Sequence, residues 1–138
     1  MLVLDTNVYL DVSADSALAD RVAALVEASG EQVGLSSIVL AELLIGVRPA
    51  DRARLMRWVT DGVDDSSLVV PAHADWVAAG DALRHLGGDA AKKGRSSWND
   101  LLIAASCARV GATLLTRNAD DFRRIQRIIP IAVHHRPI

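Results

Sequence analysis

The residues best placed to do chemistry are acids in settings that do not neutralise them. Asp5 closes the apolar run "LVLD" (2–5), whose unbroken aliphatic character marks a strand buried on both faces. A carboxylate at the end of such a strand is poorly solvated and costly to keep charged. Glu42 is the sole charge in "SIVLAELLIG" (37–46); its helical neighbours Ile38, Val39, Ile45 and Gly46 offer no ion pair. Asp100 repeats the pattern in "SSWNDLLIAASCA" (96–108), where the residues three and four away carry no charge. A fourth cluster, "LLTRNADDF" (114–122), delivers Asn118, Asp120 and Asp121 to the end of another strand.

Each acid also has a structural reading. Glu42 could mark the polar stripe of an amphipathic helix. Ser97-Trp98-Asn99-Asp100 matches a capping box, and Asn118 with Asp121 three residues later suits a helix start. Collectively the acids behave differently, because carboxylates gathered at one sheet edge repel unless they share a cation. Oxygen-only donors, with no cysteine or histidine cluster, select a hard divalent ion, Mg²⁺ or Mn²⁺.

The elements that must position these acids alternate. Strand-like runs fall at 2–5, 32–36, 68–71, 112–116 and 131–134, and helical patterns at 16–28, 37–47, 49–62, 73–88, 97–111 and 119–127. Such alternation predicts one α/β domain over residues 1–138, a parallel sheet flanked by helices on both faces, in which ligands collect at the carboxyl ends of the strands.

Composition agrees with a globular chain: 51% hydrophobic and 23% charged, with no internal repeat. No apolar run nears the roughly 18 residues a membrane helix needs, and no basic stretch leads into a signal-like segment. The single cysteine, Cys107, excludes an internal disulfide, fits a reducing cytoplasm and reads as core packing. Net charge is −2 but uneven: residues 1–83 hold 5 Lys/Arg against 13 Asp/Glu, whereas residues 84–138 hold 10 against 4. A basic face of this kind tolerates polyanions.

Taken in order, "LVLDTNVYLD", "SSIVLAELLIGV" and "WNDLLIAASCARVGATLLTRNADDF" resemble the PIN-domain family, and within it the VapC-type toxins of bacterial toxin–antitoxin pairs, over residues 1 to about 128. The resemblance implies a Mg²⁺-dependent acidic site that hydrolyses RNA. It assigns Asp5, Glu42 and Asp100 to the acid positions, and Thr6 and Thr116 to hydroxyls lining the site. Asn118 stands where many relatives carry aspartate, which leaves Asp121 to substitute from the next turn. It further implies a small antitoxin whose basic C-terminal segment covers the site, and a homodimer. Trp58 and Trp76, on helices 49–62 and 73–87, supply an interface-like surface.

The residues fit that chemistry independently, since phosphodiester hydrolysis needs phosphate charge neutralised and a water activated. Substrate contact falls to Lys92, Lys93, Arg95 and Arg117, which offer affinity for phosphate rather than sequence choice. With one Phe, one Tyr and three Trp the chain is poor in stacking surfaces. His134 and His135 read as solvated tail. A haloacid-dehalogenase-type phosphatase would need a second aspartate where Asn7 stands. A non-catalytic binding module and a housekeeping nuclease are the remaining alternatives.

Overall fold

A computed structural model describes residues 1–87, 98–134 and 138. Its sheet has five strands, β1 (Leu2–Leu4), β2 (Val33–Ser36), β3 (Leu68–Val69), β4 (Thr113–Leu115) and β5 (Ala132–Val133). They run in the order β3-β2-β1-β4-β5, every pairing parallel. Among the described residues seven α-helices connect them: α1 (Thr6–Ala14), α2 (Ser16–Ser29), α3 (Ser37–Gly46), α4 (Arg52–Thr60), α5 (His73–His85), α6 (Trp98–Val110) and α7 (Ala119–Ile125). The result is the expected three-layer α/β/α arrangement.

Strand β1 is central and wholly buried, as its aliphatic run requires. Strand order reverses between β1 and β4: the chain leaves β1 toward β2 and β3, then returns to place β4 on the other side. Connections leaving in opposite directions open a crevice at the carboxyl ends of these two strands. Asp5 and Thr116, each the residue after its strand, face each other there, and the Asp5 N–H donates to the Leu115 carbonyl at 2.9 Å.

Local signals explain most boundaries. Asp15 caps α2 by accepting from the Leu18 N–H, and Gly30 ends it at φ 65°. Ser36 caps α3, and Pro49 opens a short 3₁₀ turn before α4. Gly34 is demanded by packing, because a Cβ there would stand 2.5 Å from the Met1 sulfur and 2.9 Å from the Ser67 carbonyl. Helix α1 has no counterpart in the sequence reading. Its β-branched Thr6 and Val8 and its two buried residues, Val8 and Tyr9, give a weak helical period, and Asp5 starts it by capping the Thr6 N–H.

Helix α6 is buried without interruption from Leu101 to Cys107 and forms the middle of the core. Cys107 is therefore packing, as expected, with its thiol pushed up to about 12 chiefly by burial. Arg109 in the last turn of α6 donates through Nε to both Asp75 carboxylate oxygens at 3.0 and 3.1 Å, and through Nη2 to the Val70 carbonyl at 2.8 Å. Asp75 also accepts from the Ala72 N–H at 2.7 Å, so one buried carboxylate ties α5 to α6.

Candidate active site

The crevice is built around Asp5, which is only 5% exposed. Its Oδ1 accepts from the Thr6 N–H at 2.8 Å. Its Oδ2 accepts from Asn7 Nδ2 at 2.8 Å and from the Thr116 hydroxyl at 2.6 Å. Burial raises the Asp5 pKa above the usual carboxylate value; the bonds from Thr116 and Thr6 oppose this, and the charges of Asp100 and Glu42 reinforce it. Asp5, directly after β1, thus lies within reach of the charges of Glu42 on α3 and Asp100 on α6, although 95 residues of sequence separate Asp5 from Asp100.

Glu42 is half-buried, beside the exposed residues Ala41, Ile45 and Gly46 of α3. Its Oε2 accepts from the Thr6 hydroxyl and its Oε1 from Asn99 Nδ2 at 2.7 Å, so it is held between the starts of α1 and α6. Thr6 thus touches Glu42 with its side chain and Asp5 with its backbone, while Thr116 touches Asp5. Both hydroxyls line the site.

Asn118 occupies the residue before α7 but makes no side-chain capping bond. Its Nδ2 donates instead to Asp121 Oδ2 at 2.6 Å, and its backbone N–H donates to the Thr116 hydroxyl at 3.0 Å. Among the described residues, Asp121 is linked to Asp5 through Asn118 and Thr116. Arg117 lies beside this chain, half exposed, and its guanidinium pairs with Asp11 at 2.8 Å. Lys92, Lys93 and Arg95 fall outside the described residues, as does His135. The solvated-tail reading fails for His134: its Nε2 is buried, with no hydrogen-bond partner among the described residues.

Two amides escaped the sequence reading, Asn7 and Asn99. Each is adjacent or nearly adjacent to an acid in the chain and donates to a carboxylate of the site. Their uncharged side chains carry no electrostatic signal; position beside the acids was the available clue.

The donor set suits a hard cation. Buried Asp5 feels the charges of two other carboxylates, and the side chains that hydrogen-bond to it are a hydroxyl and an amide. Among the described residues no three carboxylate, imidazole or thiol groups converge closely enough to enclose an ion as they stand. The Glu42 oxygens are turned to Thr6 and Asn99 instead.

Known proteins place the fold. The PIN domain family model matches residues 2–128. The chain belongs to the PIN-domain family. Ribonuclease VapC19 of Mycobacterium tuberculosis is 33% identical over 128 residues, covering 88% of this chain and 92% of the relative. Among solved structures, VapBC2 of Rickettsia felis, bound to a promoter DNA fragment, superposes with TM-score 0.68 at 24% identity and 96% coverage of both chains. VapBC-1 of nontypeable Haemophilus influenzae does so with TM-score 0.63 at 25% identity and the same coverage. No described helix is long and apolar enough to cross a membrane.

Proposed function

We propose that this PIN domain is a metal-dependent endoribonuclease and the toxic member of a toxin–antitoxin pair. The observation that carries the reading is the hydrogen-bonded network that links Asp5, Thr6, Glu42 and Asn99, the neighbour of Asp100, at the strand-order switch point. Similarity to Ribonuclease VapC19 supports RNA as the substrate.

In this reading Asp5, Glu42 and Asp100 would hold Mg²⁺ or Mn²⁺, which when bound would supply positive charge for phosphodiester hydrolysis and a more acidic water. The chain's own residues do the rest. Thr116 and Asn7 fix the Asp5 carboxylate, and Thr6 and Asn99 fix Glu42. Asn118 presents Asp121 at the rim, where it can accept a proton from water. Arg117, with Lys92, Lys93 and Arg95, binds flanking phosphates.

A groove of about 640 Å³ lies between α1, α3 and α4, lined by Tyr9, Leu10, Leu43, Leu55 and Trp58 and reaching Glu42. The antitoxin is the partner proposed for it: an amphipathic helix seated on the apolar lining, followed by a basic segment whose arginine pairs with the site carboxylates. Similarity to the VapBC structures supports such a partner. Trp58 packs edge-on against Tyr9 with ring centroids 5.6 Å apart and belongs to this groove. Trp76 pairs instead with Trp98 at 6.4 Å, and these rings, 53% and 45% exposed beside Val77, are the proposed homodimer surface.

Purified protein incubated with RNA, Mg²⁺ or chelator tests the activity: cleavage only with the ion is expected. Growth arrest on expression, relieved by the neighbouring gene, tests the toxin role. Chelator-insensitive cleavage would sink the metal assignment, and harmless expression of an active nuclease would leave a housekeeping enzyme.

A further inference from the structure

We infer that Asn7 is a positioning residue, which orients the Asp5 carboxylate and decides which of its lone pairs remains open. A carboxylate offers about four acceptor sites. Oδ2 spends both of its own on Asn7 Nδ2 at 2.8 Å and the Thr116 hydroxyl at 2.6 Å. Oδ1 spends one on the Thr6 N–H at 2.8 Å. One site on Oδ1 is left among these bonds. Asp5 therefore meets a cation or water through a single oxygen, rather than as a symmetric clamp.

Asn7 can impose this because its own amide cannot turn over. Its Oδ1 accepts from the Arg117 backbone N–H at 3.1 Å, while Nδ2, which donates to Asp5, also lies 3.3 Å from the Thr116 hydroxyl oxygen. Flipping the amide would set an NH₂ against the Arg117 N–H and an oxygen against the Asp5 carboxylate. Asn7 thus bridges the end of β1, where Asp5 sits, to the segment after β4. A pure donor such as lysine could not accept from Arg117, and an acid could not donate to Asp5. Only an amide of this length satisfies both strands without adding charge.

This inference rests on the metal-nuclease reading, and its test separates the two. Asn7→Ala removes both halves of the amide. Asn7→Asp keeps an acceptor for the Arg117 N–H, but faces Asp5 with a second anion. We expect both variants to unfold cooperatively with native far-UV dichroism. Both should cut a fluorescent single-stranded RNA about 10- to 100-fold more slowly in kcat, in line with the loss of an orienting partner. KM should stay within about threefold, because Asn7 meets Arg117 at its backbone N–H and not at the guanidinium proposed to bind phosphate. Calorimetric titration of Mg²⁺ into RNA-free protein should show Asn7→Ala binding about tenfold more weakly or worse.

If Asn7 only ties the two strands together, Asn7→Asp recovers kcat to near wild type, which overturns the inference. So does unaltered Mg²⁺ binding in Asn7→Ala. Wild-type protein that binds Mg²⁺ in an Asn7-dependent way but cuts no RNA refutes the nuclease reading alone. Wild-type protein that binds no Mg²⁺ refutes both.

Discussion

Replacing Arg109 with methionine keeps the apolar stem of the side chain and removes the guanidinium that holds Asp75. The pair is unevenly buried: Asp75 is 3% exposed, whereas the Arg109 side chain is 38% exposed. Without Arg109 the partner left to the carboxylate among the described residues is the Ala72 N–H at 2.7 Å, inside the contact between α5 and α6. Breaking a fully buried pair costs about 3–5 kcal/mol, because the surviving charge is stranded. Solvent reaching the guanidinium lowers this to about 2–4 kcal/mol. The Val70 carbonyl that also loses a donor belongs to an exposed residue and adds little. The converse change, Asp75→Asn, preserves an acceptor for the Ala72 N–H and leaves a cation that water can solvate. It should cost only about 1 kcal/mol, the scale of one ordinary hydrogen bond. Urea unfolding of the two variants at matched m-values measures the asymmetry, and Arg109→Met should lower Tm by roughly 10 °C. Asp100 lies nine residues earlier, near the opposite end of a helix rising about 1.5 Å per residue, so folded protein should keep its RNA cleavage. A larger loss from Asp75→Asn than from Arg109→Met would refute the stranded-charge argument and make the helix cap the dominant element.

Asp5→Asn should cut RNA cleavage by at least about 10²-fold while the protein stays folded, as judged by dichroism and activity on the same sample. The raised Asp5 pKa sets a sign for stability in chelator: the group favours the folded state below its unfolded pKa and loses that contribution as pH rises through its folded pKa. Wild type should therefore gain on Asp5→Asn when acidified across that window, and parallel urea midpoints would contradict it. Cys107, with its thiol raised to about 12 inside α6, should resist alkylation in native protein and react only at the rate of unfolding. Leu10→Lys in the groove beside Glu42 should weaken binding of the proposed antitoxin by about tenfold or more while leaving Mg²⁺ titration of the free protein unchanged, both measured by calorimetry.

The strand and helix alternation, the buried first strand and the core role of Cys107 were legible from apolar runs, because burial on both faces leaves no alternation to confuse. Helix α1 was not, since its packing against α2 and α3, rather than its own period, makes it helical. The acids could be singled out as uncompensated, yet whether Asp100 and Asn118 were caps or site residues was a question about space. The fold brings β1 beside β4 and sets Asp5 where the charges of Asp100 and Glu42 reach it. The same juxtaposition turned Asn7 and Asn99 from unremarkable amides into the donors of two carboxylates, and paired Arg117 with Asp11. Residue type is written in the chain and fixes which chemistry is available. Which side chains share a site depends on contacts between residues up to 111 positions apart, and no local pattern encodes those.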